Sequence, residues 1–130
     1  MKRIIVCDDE PHIVEGVRFL LRGSERQIEG ASSGREALQR IREELPDLLI
    51  TDVMMPGMSG LEVVAELRRE KRTKNLPIII LTAKGQAHDA ALAQDVWGAI
   101  VLGKPFEPSQ LRAVVESILE GEECLHRESI

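Results

Sequence analysis

The chain is nearly without aromatic side chains: of 130 residues two are Phe, one is Trp and none is Tyr. The 43% that are hydrophobic must therefore build a core from Ile, Leu, Val, Ala and Met, and that share excludes global disorder. Cysteine is scarce too. Cys7 and Cys124 have neither a metal-ligand spacing nor a CxxC pattern, and they read as two reduced thiols of a cytoplasmic protein. No apolar run approaches the roughly 20 residues of a membrane span. The stretch before Asp8 is too short for a signal peptide, so a cytoplasmic location without membrane insertion is expected. Positive charge is in deficit, 17 Lys and Arg against 22 Asp and Glu, which argues against direct nucleic-acid binding. The one basic run, Arg68 to Lys74, reads as a solvated helix end and loop. His12, His88 and His126 are scattered and do not form a zinc pattern.

What is present is a regular alternation of short apolar runs with amphipathic ones. Arg3-Ile4-Ile5-Val6-Cys7 is β-rich and stops at Asp8-Asp9-Glu10. Pro11 then opens a helix at the position where its missing N–H costs nothing, and Gly23 stops it. A weaker strand covers about Gln27 to Ala31. Ser33 with Glu36 has the form of a capping box and opens a helix to about Glu44. Asp47 to Asp52 is an apolar strand ending in an acid. After the loop Met55-Pro56-Gly57-Met58, Ser59 with Glu62 repeats the capping-box signal. Pro77 to Thr82 is a further apolar strand, followed by a polar helix over about Gln86 to Asp95. Ala99 to Leu102 is the last strand. Pro108 starts the final helix, whose Leu111, Val114, Val115, Ile118 and Leu119 form one stripe. Residues 1–120 read as one domain, and 121–130 as a C-terminal tail or the start of a linker.

Strands alternating with helices imply right-handed crossovers and a parallel sheet, and strands apolar throughout imply helices on both faces. The expected fold is α/β, a doubly wound five-stranded parallel sheet in a three-layer sandwich. In such sheets chemistry sits outside the carboxyl ends of the strands. The residues just past those ends are Asp8, Asp9, Asp52, Thr82 and Lys104. Three carboxylates together repel one another unless a cation neutralises them, and a hard, oxygen-rich site with few protein ligands suits Mg²⁺. An ammonium and a hydroxyl beside it can hold the oxygens of a phosphoryl group in transfer, with Asp52 as candidate nucleophile. Taken singly, each position has a plainer use. Asp8 and Asp9 could cap a helix, Asp52 could end a strand, Thr82 could be a β-former and Lys104 a surface charge. Together they point to one site.

The ordered set of signals, the acidic pair after the first strand, Asp52 before Met54-Met55-Pro56-Gly57, then Thr82-Ala83 and Lys104-Pro105-Phe106, resembles the response-regulator receiver domain of two-component signalling. It is similar to the single-domain chemotaxis and sporulation regulators, from residue 3 to about 120, and so implies a flavodoxin-like sandwich with strand order 2-1-3-4-5. The resemblance implies that Asp52 accepts a phosphoryl group from a sensor histidine kinase or a histidine phosphotransfer protein. It implies Mg²⁺ held by Asp9, Asp52 and the backbone carbonyl of Met54, with Asp8 acting mostly through water. Thr82 and Lys104 would bind the phosphoryl oxygens and carry the switch to a downstream protein target. It further implies a cis Lys104–Pro105 peptide and a homodimer face on the fourth helix, fifth strand and fifth helix. The chain would be no enzyme beyond its own phosphorylation and dephosphorylation.

Three positions depart from the pattern. Val101 stands where receivers often carry the aromatic that reports phosphorylation. A readout through the backbone of the fourth helix and fifth strand is expected instead. Trp97 replaces a common Gly and reads as a packing anchor, with a partner patch as the other use. Gly103 before Lys104 is expected to loosen the hold on that lysine. Met54 and Lys84 flank the site and are expected to tune access of water.

Rival functions fail on single residues. A phosphatase of the haloacid-dehalogenase type needs an Asp two residues after the nucleophile, and Met54 is there. A nucleotide or flavin binder needs a Gly-rich turn after the first strand, where this chain has Asp8-Asp9-Glu10-Pro11. A receiver within a longer regulator, or a pseudo-receiver that only binds partners, are the remaining alternatives.

Overall fold

The structure is a computed structural model that describes residues 1–23, 25–83, 94, 98–104 and 106–128, with side chains through 120. Five strands, β1 (Lys2–Cys7), β2 (Arg26–Ala31), β3 (Leu48–Asp52), β4 (Ile78–Thr82) and β5 (Ile100–Gly103), form one sheet in the order β2-β1-β3-β4-β5. Every neighbouring pair is parallel, as the apolar runs predict. The described helices are α1 (Pro11–Leu21), α2 (Gly34–Glu43), α3 (Gly60–Arg69) and α4 (Pro108–Glu128). Apart from residue 94, the helix expected over Gln86 to Asp95 lies outside the described residues, as do Lys84, Trp97 and Pro105 of the Lys104–Pro105 peptide.

Strand periodicity of two divides the core into two layers. Ile4, Val6, Leu48, Ile50, Ile79 and Leu81 face α1 and α4, against Val17, Leu21, Leu111 and Val115. Ile5, Leu49, Ile78 and Ile80 face α2 and α3, against Ile41, Val63, Val64 and Leu67. β3 and β4 are buried along their whole length, because helices cover both of their sides.

The local signals work as written. Pro11 opens α1, and the Ser33 and Ser59 side chains accept hydrogen bonds from the Glu36 and Glu62 amides, 3.2 Å each. Two expectations change. The basic run is partly built into the fold. Arg68 is half-buried and its Nη1 donates to the carbonyl of Leu76 (2.8 Å), while the Thr73 hydroxyl donates to the carbonyl of Leu67 (2.6 Å). The final helix also continues through Glu128, past the end of the apolar stripe at Leu119, so most of the stretch read as a tail is helical.

The sheet register brings the site residues together. Cys7 pairs with Thr51, Asp52 with Leu81, and Thr82 with Gly103. Asp8, Asp52, Thr82 and Lys104 therefore leave their strands along one edge.

Candidate functional site

β3 delivers Asp52 as its last residue, 8% exposed, beneath the loop that leads to α3. Its Oδ1 accepts from the Val53 amide at 2.9 Å, which fixes the carboxylate orientation. Asp8, one residue past β1, is 2% exposed, and its Oδ1 accepts from the Glu10 amide at 3.0 Å. Asp9 is exposed beside it. Ligand oxygens of Asp8, Asp9 and Asp52 all lie within 4.8 Å of one another.

Lys104 reaches in from just past β5. Its Nζ stands 3.2 Å from Asp8 Oδ2 and 3.2 Å from Asp52 Oδ1. The backbone holds it as well, since the Lys104 amide donates to the Thr82 carbonyl at 2.6 Å. Thr82 is buried at the end of β4.

The electrostatics follow from burial. Desolvation pushes the Asp52 carboxyl above its ordinary value; Asp8 adds to this, and Lys104 opposes it. For Lys104, burial pulls the ammonium down, but Asp52 and Asp8 outweigh it and the net direction is up. Among the described residues the centre thus gathers three carboxylates and one ammonium, with negative charge in excess. The donor set is hard oxygen in a compact cluster, which fits a divalent cation of the Mg²⁺ kind.

The loop after Asp52 is tightly made. Met55 is buried, with its Sδ 3.4 Å from the Cys7 sulfur. Gly57 has φ +82°, a conformation that favours glycine. The Met54 side chain is mostly exposed. The histidine near the acids, His12, is exposed 3.5 Å from Glu10 and stays outside the cluster.

All five side chains expected at the site, Asp8, Asp9, Asp52, Thr82 and Lys104, lie at this edge, and the family model for the response regulator receiver domain matches residues 4–116. The chain belongs to the response-regulator receiver family. Among curated relatives, the receiver is 38% identical over 122 residues to the alkaline phosphatase synthesis transcriptional regulatory protein PhoP of Bacillus subtilis, covering 94% of this chain and 50% of that protein. It is 36% identical over 122 residues to the DNA-binding response regulator MtrA of Mycolicibacterium smegmatis, covering 94% and 52%. The receiver thus spans about half the length of these relatives. Among solved structures, a receiver domain protein from Clostridium thermocellum superposes with TM-score 0.87 at 31% identity, covering 96% of this chain and 99% of that one. The chemotaxis protein CheY4 of Vibrio cholerae gives TM-score 0.80 at 30% identity, covering 91% and 98%.

Sequence reasoning passed over three residues around the site. In the sequence Cys7 is a plain thiol, yet its sulfur donates to the Ser33 carbonyl at 3.3 Å and touches Met55 in the loop after Asp52. Gly34 and Gly60 each follow a capping serine. The signal for both was in plain view, because capping explains the serines and glutamates but not the glycines.

Among the described residues no helix is long and apolar enough to cross a membrane.

Proposed function

We propose that this receiver takes a phosphoryl group on Asp52 from a phosphohistidine of a sensor kinase or histidine phosphotransfer protein, and that the phosphorylated form binds a downstream protein differently. A carboxylate oxygen of Asp52 attacks phosphorus, the bond to the donor nitrogen breaks, and an acyl phosphate remains on the chain. Lys104 pairs with the oxygens of the incoming group, and Thr82 offers its hydroxyl. Asp9, Asp52 and the Met54 carbonyl would hold Mg²⁺, with Asp8 acting through water. When bound, the ion would supply neutralisation of the negative charge that donor phosphate and acceptor carboxylate bring together. No separate substrate is turned over, so the chemistry is limited to gain and loss of this phosphoryl group.

It rests on one observation above all, the meeting of Asp52 with Lys104 at 3.2 Å inside an acidic cluster. That arrangement makes the pair ready to exchange an internal ion pair for a phosphoryl group.

The output runs through the backbone. Val101 carries no ring to rotate, whereas Thr82 pairs with Gly103 across the β4–β5 ladder and binds the Lys104 amide. Movement at Thr82 thus reaches β5 directly. One relative is named as a transcriptional regulatory protein and another as a DNA-binding response regulator; by analogy such a switch would govern an attached output region, and a receiver within a longer regulator is the second reading. A homodimer on the face that includes β5 would be one form of the switched state.

The test is intact-mass measurement after incubation with Mg²⁺ and a small acyl-phosphate donor. One phosphoryl mass is expected, abolished by Asp52→Ala and by chelation. A phosphoryl group that survives Asp52→Ala overturns the assignment.

A further inference from the structure

Two helices in this chain begin with the same four-residue pattern, Ser33-Gly34-Arg35-Glu36 and Ser59-Gly60-Leu61-Glu62. The serines cap and the glutamates supply the amides they bind. Glycine at the first helical position is left without a role, since it is a poorer helix former than alanine. Conformation does not explain it either, because positive φ among the described glycines occurs only at Gly57 and Gly98.

Space does explain it. A Cβ on Gly60 would stand 2.0 Å from the carbonyl oxygen of Asp52, 3.0 Å from its carbonyl carbon and 3.3 Å from Thr51 Oγ1. These are mostly backbone atoms of the central strand, which cannot swing aside. The Gly60 amide also donates to the Val53 carbonyl at 2.8 Å. On the other side, a Cβ on Gly34 would stand 2.8 Å from Val63 Cγ2, 3.0 Å from the Met58 carbonyl oxygen and 3.1 Å from Met58 Cβ. Beneath the loop, Met55 is seated on the Cys7 sulfur. The segment from Val53 to Ser59 is therefore closed on by the first turns of α2 and α3, each through a missing side chain.

We infer that Gly34 and Gly60 are positioning residues, a two-sided clamp that sets the loop after Asp52 and so the place of the acceptor carboxylate and the Met54 carbonyl. The Asp52 carbonyl and carboxylate share one Cα, so a side chain at 60 that pushes the peptide also turns the acceptor. The inference rests on the proposed role of Asp52 and deepens it by naming what holds that residue in place.

The experiment compares Gly34→Ala, Gly60→Ala and the control Gly16→Ala, whose Cβ meets nothing within 4 Å. Mg²⁺ affinity of the unphosphorylated receiver is measured by calorimetry, phosphorylation by intact mass, and backbone position by amide resonances of Val53 to Met58. Both clamp variants are expected to lose Mg²⁺ affinity by about 10- to 100-fold, the usual scale for disturbing groups that support metal ligands. Phosphorylation should slow with it while far-ultraviolet circular dichroism is retained, and Gly16→Ala should match the wild type. Adding Val63→Ala to Gly34→Ala removes the nearest obstructing methyl and is expected to restore part of the affinity.

If Gly60→Ala does not fold, Gly34→Ala with its Val63→Ala rescue decides the question. Wild-type affinity and unmoved amides in Gly34→Ala overturn the clamp, as does a loss that Val63→Ala leaves unchanged. A wild type that binds Mg²⁺ but takes no phosphoryl group refutes the proposed function and leaves the clamp to be judged on affinity. If the wild type binds no Mg²⁺, the amide shifts alone judge it.

Discussion

The Lys104 ammonium stands 3.2 Å from the Asp52 carboxylate and equally 3.2 Å from that of Asp8, so one cation bridges the proposed acceptor and its acidic neighbour. Because Lys104 is the cation shared by both carboxylates, its removal separates two roles that a positive group can play here. Lys104→Met should lower the rate of phosphorylation by an acyl-phosphate donor on the order of 100-fold, the usual cost of losing one donor to developing charge. Mg²⁺ affinity should rise at the same time, since three carboxylates then face the ion without a competing ammonium. Mass spectrometry and calorimetry read the two effects. A parallel fall in both would mean that Lys104 merely supports the fold.

Binding of a cation to the acidic cluster should appear as stability. A ligand at about 100 times its dissociation constant adds about 2.7 kcal/mol to the folded state, so Mg²⁺ is expected to raise the thermal midpoint by several degrees. Asp9→Ala removes an exposed carboxylate of that cluster at little cost to the apo fold and should abolish most of that rise. Differential scanning calorimetry with and without Mg²⁺ is the measurement.

Far from the site, Arg3 ties the sheet to its neighbours. Its guanidinium binds Glu29 and the Glu44 carbonyl, and Arg40 binds Glu29 as well, at 3.1 Å. The hydrogen bond from Arg3, helped by Arg40, holds the Glu29 carboxyl below its ordinary value of 4.5 against the opposing effect of burial. A depressed carboxyl contributes stability above its unfolded value and loses it as pH falls through the folded one. Glu29→Gln should therefore cost on the order of 1 to 3 kcal/mol at pH 7. The difference from wild type should close as pH falls below the ordinary carboxyl value. Urea unfolding at pH 7 and pH 3 checks both halves.

Cys7 should be silent to thiol reagents in the native state. Burial pushes its thiol up to about 12, against a hydrogen bond with Thr51, and Asp8 and Asp52 add to the rise. In a Cys124→Ser background the remaining thiol should resist alkylation at pH 8 for as long as the receiver stays folded, and react fully in guanidinium. Rapid labelling of the native protein would contradict the packing of Cys7 against Met55.

Much of the candidate site was legible because strand ends in a doubly wound sheet converge by topology. Once Asp8, Asp52, Thr82 and Lys104 were read as strand-end residues, the register had little freedom left, since a one-residue slip would turn an apolar strand face to the wrong layer. Arg68 was not legible as a structural residue. Its guanidinium binds carbonyls at the end of a loop, and carbonyl positions depend on backbone path rather than on residue type. The same holds for Val101, whose lack of a ring is plain in the sequence, while the backbone link from Thr82 to Lys104 that could replace it exists only in the folded sheet.

By itself the sequence determined the alternation of strands and helices, the capping serines at 33 and 59, and the set of charged groups that must meet at one edge, because periodicity and local hydrogen bonding are written in residue order. Only the tertiary structure decided which charges touch, and it placed Lys104 between Asp8 and Asp52. It also decided why Gly34 and Gly60 carry no side chain. Close approach of backbones distant in sequence is a property of packed surfaces, and no local pattern encodes the 2.0 Å that separates a Cβ at position 60 from the carbonyl of Asp52.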